Sequence, residues 1–293
     1  MPLSVRPSVA AQARSGALTA QAIGRAATLA LHDELALSPK PGLVTLDSQG
    51  SHTDMDAHTF MRSLLALRGY FVRIAELGAS GAGFDALERC GIEAEARMFV
   101  ATGGINTHRG AVFMLGLLCA AAGAVAADGG SPCPVLIRQA LRANWGDALA
   151  VRALRPSVLP GGQAARRLGL RSASAEAALG FPVVFEVALP ALEAASAAGL
   201  PRAAARLDTL FSIMAVLEDS NLAHRGGLEG LRFAQSEAHE FLAAGGACAP
   251  DGVARAEAIG HRFVRRRLSP GGAADMLAAA CWVQRIGAIQ GWA

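Results

Sequence analysis

"FMRSLLALRGYFVRI", residues 60–74, carries the pattern that decides the fold class. Its apolar residues are spaced by three and four and so lie along one face of an α-helix: Phe60, Leu64, Leu67, Phe71 and Ile74. The same spacing recurs at 207–217, and further helical stretches are predicted near 16–36, 86–100, 107–125, 132–143, 222–243, 251–267 and 273–288. We therefore predict an all-α fold, a single-domain multi-helix bundle at 16–293 that follows a flexible N-terminus at 1–15.

Two neighbouring segments break this helical pattern. Residues 155–182 contain three prolines and a Gly-Gly pair, which predict a long, partly irregular surface loop. "PVVFEVALP", residues 182–190, is compatible with a short strand that lies isolated between prolines.

The composition excludes several functional classes. A hydrophobic content of 52% with 5% aromatic residues indicates a large core and favours helix over strand. The net charge of +3 gives no argument for nucleic-acid binding, and the run 265–267 fits either a solvated helix end or a phosphate contact. The uncharged stretch 111–127 is at the short limit for a membrane span, and we predict a buried core helix there and no membrane.

Cysteine usage and the first residues bear on the compartment. Five cysteines, an odd number without a Cys-x-x-Cys pair, indicate a reducing compartment, buried thiols and no zinc site. Residues 1–32 contain arginines and no acid, a faint likeness to a transit peptide, but we interpret them as an ordinary bacterial-style start. We therefore expect a cytoplasmic protein.

"SPKPGLV", residues 38–44, contains the one lysine of this chain, which otherwise uses arginine. Pro39 and Pro41 restrict the backbone on both sides of Lys40, so the lysine extends from a stiff segment. A stiff lysine suits a phosphate, which it meets as a point charge, although a helix stop with a solvent-facing lysine explains the same residues.

Acidic residues and a histidine follow this lysine closely. Asp47, His52, Asp54 and Asp56 lie within ten residues of one another. Such carboxylates can hold Mg²⁺ together with phosphates and water, or one of them can act as a general base. Helix N-capping by Asp54 is the structural alternative.

"ATGGINTHRGAVFMLG", residues 101–116, places polar residues before an apolar helix. Gly103 and Gly104 free the backbone, and Asn106 or Thr107 can cap the helix. His108 and Arg109 fall in its first turn, where the helix dipole disfavours cations unless an anion binds there. A plain Gly-Gly turn with a cap is the alternative.

Two further corners are polar. "EDSNLAHRGGLEGL", residues 218–231, offers Asp219 and Asn221 as oxygen ligands, with His224 and Arg225 suited to a phosphate or a leaving group. An ordinary capped helix corner explains part of this set. In "LSPGGAADML", residues 268–277, a capped helix start with Asp275 in its first turns explains the pattern.

Five motifs occur in one order between about residues 25 and 285 and together resemble the triphosphoribosyl-dephospho-CoA synthases: "SPKPGLV", "SHTDMD", "ATGGINTHRGAVFMLG", "DSNLAHRGG" and "SPGGAADMLA". The resemblance implies an all-helical enzyme that converts ATP and 3′-dephospho-CoA into 2′-(5″-triphosphoribosyl)-3′-dephospho-CoA and adenine. That product is the precursor of the prosthetic group of an acyl carrier protein, which belongs to malonate decarboxylase or to citrate lyase. "DMDAHTFMRS" looks more like the malonate decarboxylase branch.

One segment departs from the family pattern. Where the family shows an Arg-Gly-Glu-Ala type stretch, this chain has "RSASAEAALGFP". Glu176 and Gly180 remain, the neighbouring Arg-Gly is lost, and Arg171 is the candidate replacement.

The implied reaction has three tasks: to hold a triphosphate, to remove a hydroxyl proton and to release adenine through an oxocarbenium-like transition state. We predict three sets of residues for them. Phosphate and nucleotide would be bound by Lys40, Gly103, Gly104, Asn106, His108, Arg109, His224 and Arg225. Mg²⁺ would be held by Asp54, Asp219 and Asn221, and the general base would be Asp56, His52 or Glu176.

Two rival functions remain compatible with the residues. One is a helical hydrolase of the ADP-ribosyl type, which would not need dephospho-CoA. The other is a non-enzymatic carrier-binding protein in which the polar clusters are only caps and corners. Homo-oligomerisation is left open.

Overall fold

The structure is a computed structural model that describes residues 18–291, so the predicted flexible segment 1–15 lies outside the described residues. Within that range the chain forms twelve α-helices and no strand, which confirms the all-α prediction. The helices are α1 (Ala20–Leu35), α2 (Ala57–Ala79), α3 (Phe84–Thr102), α4 (Arg109–Ala127), α5 (Pro134–Leu154), α6 (Pro160–Leu168), α7 (Ala173–Ala178), α8 (Leu189–Ala197), α9 (Arg202–Val216), α10 (Ser220–Ala243), α11 (Gly252–Arg265) and α12 (Gly271–Gln290).

The predicted irregular loop at 155–182 is wrong, because α6 and α7 lie inside it. Pro160 occupies the first turn of α6, where a helix needs no backbone N–H from its residue. Ser172 caps α7 by accepting a hydrogen bond from the Ala175 N–H at 3.2 Å. The prolines and serines of this segment therefore start helices.

The short strand considered at 182–190 is also wrong. Residues Val183–Ala188 form a π-helix that runs directly into α8. Val184 and Ala188 are fully buried against the core. With no second strand in the described range to pair with, the backbone satisfies its hydrogen bonds locally, which overrides the β propensity of the valines.

Helix α4 lies in the core, as predicted for the uncharged stretch. It is the one described helix long and apolar enough to cross a membrane by length and composition, and 72% of that apolar window is buried inside the fold. Helices α2, α5 and α12 pack around it.

Glycines let α2 and α4 approach backbone to backbone. A Cβ at Gly78 would lie 1.9 Å from the Ala120 carbonyl oxygen, so only glycine fits there. Nearer the start of both helices, the Tyr70 hydroxyl donates to the Val112 carbonyl at 2.8 Å. The two helices therefore run in the same direction, and their N-termini lie at one end of the molecule.

Candidate active site

The N-termini of four helices meet at one end of the fold. At the start of α2, the Phe60 ring packs edge-on against the His108 ring at the start of α4, with centroids 4.8 Å apart. The Asp275 carboxylate in the first turns of α12 accepts a hydrogen bond from the Ala111 N–H of α4. Asp219 joins α10 to α12, as described next. We call this region, together with residues 36–56, the helix junction.

Asp219 bridges two of these helices with one carboxylate. Its Oδ1 accepts the N–H groups of Asn221 and Leu222 at the start of α10, at 2.8 and 3.3 Å. Its Oδ2 accepts the Ala273 N–H of α12 at 3.0 Å, and the Gly272 N–H also donates to this carboxylate. Burial raises the pKa of Asp219, and these backbone donors oppose the rise. A single anion thus satisfies the free N–H groups of two helices.

Asp275 lies against the backbone of α4. A Cβ at Gly110 would fall 1.9 Å from Asp275 Oδ2, so a glycine is required for this contact. Gly110 is exposed and Asp275 itself is half-buried, so Asp275 lies at an edge of the helix junction. Burial together with the charges of Glu34 and Asp219 raises the pKa of Asp275 well above its ordinary value.

Lys40 is buried and paired, not solvent-facing. Its Nζ donates to the Glu34 backbone carbonyl at 2.7 Å and forms an ion pair with the Glu34 carboxylate. Burial lowers the pKa of Lys40, and the Glu34 charge opposes this. Because an ammonium has three donors and two are used by Glu34, one N–H remains for a further acceptor.

His108 is neutral at physiological pH. Burial and the nearby Lys40 charge lower its pKa to about 3. Its Nδ1 lies 2.7 Å from the Ser63 hydroxyl, whereas its Nε2 is buried and has no hydrogen-bond partner among the described residues. Such an orphaned atom is a candidate ligand contact.

His52 and Arg225 tie the segment at 36–56 to α10 and to the start of α12. His52 Nε2 lies 2.9 Å from the Ser269 hydroxyl, and its Nδ1 lies 3.2 Å from the Arg225 guanidinium. Arg225 also donates to the carbonyls of Ser51 and Arg267 at 3.3 and 3.1 Å. Burial and the Arg225 charge lower the pKa of His52, so the ring is neutral and its Nδ1 accepts.

Asp56 and Asp54 are the remaining predicted residues of the segment at 36–56. Asp56 is the N-cap of α2, and its Oδ1 accepts both the N–H and the hydroxyl of Thr59 at 2.8 Å. These bonds lower the pKa of Asp56. Asp54, considered as the cap from sequence, is exposed and lies 3.8 Å from His52.

The predicted residues before α4 have local backbone roles, whereas the side chain of Arg109 pairs with another helix. Asn106 Oδ1 accepts the Arg109 N–H at 3.3 Å, and Gly103 and Gly104 end α3 with positive φ in open space. The Arg109 side chain is directed to α3, where it pairs with Glu95 at 2.8 Å. The Arg109 guanidinium is therefore committed to an ion pair on α3 and not to the acids of the helix junction.

The other predicted residues lie on α10 and α7. Asn221 and His224 are exposed on α10, and the Asn221 amide lies against Gly271. Glu176 is buried on α7, where its Oε2 pairs with Arg171 at 2.8 Å and its Oε1 accepts the Val183 N–H at 2.8 Å. Arg171 thus pairs with Glu176 in the segment where this chain lacks the Arg-Gly of the family pattern.

The predicted magnesium residues are not arranged as a set of free oxygens. Four backbone N–H groups occupy Asp219, which fills the lone-pair positions of a carboxylate. Asp54 lies apart from Asp219, beside His52 and Arg225. In residues 18–291 no three His, Cys, Asp or Glu side chains are grouped so that they could hold a metal ion. These residues do not fit a resident metal.

Sequence reasoning missed Glu34 and set Asp275 aside. Glu34 had a readable signal, because it continues the apolar stripe of α1 through Ile23, Ala27 and Ala30, where an uncompensated acid would be costly. For Asp275 the only signal in the sequence was its position in the motif "SPGGAADMLA", because its contact with α4 depends on the fold.

Comparison with known proteins gives a consistent result. The chain matches the family described as "ATP:dephospho-CoA triphosphoribosyl transferase" over residues 20–293. Relatives that carry the name "Probable 2-(5''-triphosphoribosyl)-3'-dephosphocoenzyme-A synthase" include proteins of three bacteria. The protein of Azotobacter vinelandii is 42% identical over 262 residues, covering 88% of each chain. The Acinetobacter calcoaceticus protein is 36% identical over 260 residues, covering 89% of each chain.

The Vibrio cholerae protein is 38% identical over 267 residues, which cover 88% of this chain and 85% of the relative. No solved structure matches the chain. A family match that spans nearly the whole chain and relatives at this level of identity show that the chain is a transferase that belongs to the triphosphoribosyl-dephospho-CoA synthase family.

Proposed function

We propose that this enzyme transfers the 5-triphosphoribosyl group of ATP to the 2′-hydroxyl of 3′-dephospho-CoA and releases adenine. In this reaction the bond from the ribosyl C1 to the adenine nitrogen breaks, and a bond from C1 to the 2′-oxygen forms. The hydroxyl loses a proton, and adenine gains one. The observation that supports it best is the helix junction, where Asp275, Lys40 and four helix N-termini lie together.

The helix junction suits a triphosphate. Asp56, Asp219 and Asp275 already accept N–H groups at these helix starts, so what the helices offer a polyanion is the partial positive charge of their N-termini. In our proposal Lys40 donates its remaining N–H to a phosphate oxygen, and Arg225 adds a second cation. Magnesium enters as part of the ATP substrate, and no step here depends on protein ligands to it.

Asp275 is proposed as the acid that protonates adenine. A carboxyl group held protonated by burial and by acidic neighbours can donate a hydrogen to a leaving base. The acceptor of the hydroxyl proton stays a prediction among Asp56, His52 and Glu176. Both Glu176 oxygens are engaged, whereas the two hydrogen bonds from Thr59 to Asp56 use Oδ1 alone.

We further propose that the product serves the acyl carrier protein of a malonate decarboxylase, in the cytoplasm. The stretch "DMDAHTFMRS" supports this branch over citrate lyase. Deleting the coding sequence should leave the malonate decarboxylase carrier without its prosthetic group, as measured by intact-protein mass. A fully modified carrier in the deletion strain would contradict the assignment.

The reaction itself is tested by assaying adenine from purified protein with MgATP, with and without 3′-dephospho-CoA. We expect adenine release only when both substrates are present, in a one-to-one ratio with the new product. Release without dephospho-CoA would indicate a hydrolase. No release, with binding of a carrier protein instead, would indicate a non-enzymatic function.

Lys40 is tested with Lys40→Met alone and with the Lys40→Met/Glu34→Gln double variant. The single variant leaves a buried carboxylate unpaired and should lose about 3–5 kcal/mol of unfolding free energy, which urea titration measures. The double variant should regain much of this stability. Turnover should remain about 100-fold below wild type in both, because the phosphate contact is absent. A stable double variant with wild-type turnover would show that Lys40 is only structural.

Asp275 is tested with Asp275→Asn across a pH series. Its raised pKa keeps the acid protonated to higher pH, so wild-type kcat/KM should be full below that pKa and fall as pH rises through it. Asp275→Asn should lower kcat about 100-fold or more and remove this alkaline limb.

Asp208→Asn is the matched control, because burial also raises the pKa of Asp208 at a site on α9 where it bonds the Ala247 N–H. Asp208→Asn should keep the alkaline limb of the kcat/KM profile. An unchanged pH profile in a folded Asp275→Asn protein would remove Asp275 from proton transfer.

A further inference from the structure

The segment that departs from the family pattern lines a groove next to the helix junction. The groove has a volume of about 520 Å³, and three arginines face it: Arg138 and Arg142 of α5, and Arg171 before α7. The π-helix contributes Val183, Glu186 and Val187 to the wall. Neither the predicted phosphate set nor the helix junction contains these arginines.

Gly180 positions two of the arginines. Its φ of +75° is the left-handed conformation that favours glycine. A Cβ there would lie 2.9 Å from both Arg138 Cγ and Arg142 Cδ, so the two side-chain stems pack on the bare backbone. The groove therefore combines this glycine-dependent packing of two arginines with a π-helical turn, a feature that is frequent at functional sites.

The three guanidinium groups differ in their partners. Arg138 pairs with Glu186 at 2.5 Å, and Arg171 pairs with the buried Glu176 at 2.8 Å. Across the described chain Arg142 has no carboxylate partner, and Arg138 Nε is buried without an acceptor. Glu186 and Glu176 therefore fix two cations in place and leave Arg142 to meet an external anion.

The rest of the groove is apolar and partly open. Leu179 and Val216 both line the groove and are 50% and 47% exposed. Pro182, Val183 and Val187 continue this wall. A ligand with an anionic group followed by a largely apolar arm matches a guanidinium next to such a wall.

Chain connectivity places the groove close to the helix junction. The Arg171 N–H donates to Glu218 Oε2 at 2.7 Å, and Glu218 directly precedes Asp219. Val216 lines the groove three residues before Asp219, which limits their separation to about 11 Å for an extended chain. A single extended substrate can therefore occupy both places.

We propose that this arginine groove binds the diphosphate and the pantetheine arm of 3′-dephospho-CoA, with Arg142 donating to the diphosphate. The inference rests on the proposed function. It follows because the diphosphate hangs from the same ribose whose 2′-hydroxyl must reach the helix junction. The apolar wall then takes the arm that continues beyond the diphosphate.

The test is Arg142→Glu, with adenine release measured while each substrate is varied in turn. We expect the KM for dephospho-CoA to rise about ten-fold or more, because a charge-assisted hydrogen bond is replaced by repulsion. The KM for ATP and kcat should stay unchanged. Arg89→Glu, which changes an exposed arginine on α3, is the control and should leave all three values unchanged.

A fragment separates the two possible sources of phosphate. 4′-Phosphopantetheine should compete with dephospho-CoA in the wild type and lose this competition in Arg142→Glu, whereas inorganic tripolyphosphate should compete with ATP equally in both. A rise in the KM for ATP alone would assign the groove to the triphosphate and overturn the proposal, as would an unchanged KM for dephospho-CoA.

The two proposals fail differently. If the wild type releases no adenine, the proposed function fails, and calorimetric binding of dephospho-CoA to the wild type and Arg142→Glu still tests the groove. Equal affinity of both proteins, or no binding to either, would then overturn the groove as well.

Discussion

The bonds that Asp219 makes to the N-termini of α10 and α12 are the constraint on which the rest of the helix junction depends. Helices whose N-termini point to one place bring their positive ends together, which is unfavourable without an anion between them. One buried carboxylate that accepts four backbone N–H groups removes this conflict for two helices. It also fixes the start of α12, and with it the position of Asp275 against α4.

The two acids at the starts of α10 and α12 differ in how the protein stabilises them. The charges of Glu34 and Asp219 both raise the pKa of Asp275, and Lys40 is the cation paired with Glu34. Asp219 has four backbone donors that oppose the rise of its pKa, whereas Asp275 has one backbone donor and a pKa raised well above its ordinary value. Two carboxyl groups in one site thus have different environments, the condition under which one stays ionised while the other carries a proton.

The sequence was sufficient to predict the all-α class and to single out the polar segments that meet at the helix junction. The three-and-four spacing at 60–74 and its recurrences gave the all-α class, because a helix must bury one face. The loop at 155–182 was mistaken because proline and serine also begin helices, and the strand because β propensity yields to packing. Lys40 was singled out correctly as unusual, but its burial against Glu34 depends on a turn that spacing alone does not specify.

Side-chain roles were harder to predict than positions. Asp56 and Asp219 both cap helices, so a cap and a catalytic carboxylate look alike in a sequence. Amide hydrogen exchange in Asp219→Ala measures most directly whether this carboxylate holds both helices. We predict that the amides of Asn221, Leu222 and Ala273 lose protection together, because one carboxylate serves both helices. Loss confined to α10, with Ala273 still protected, would contradict it.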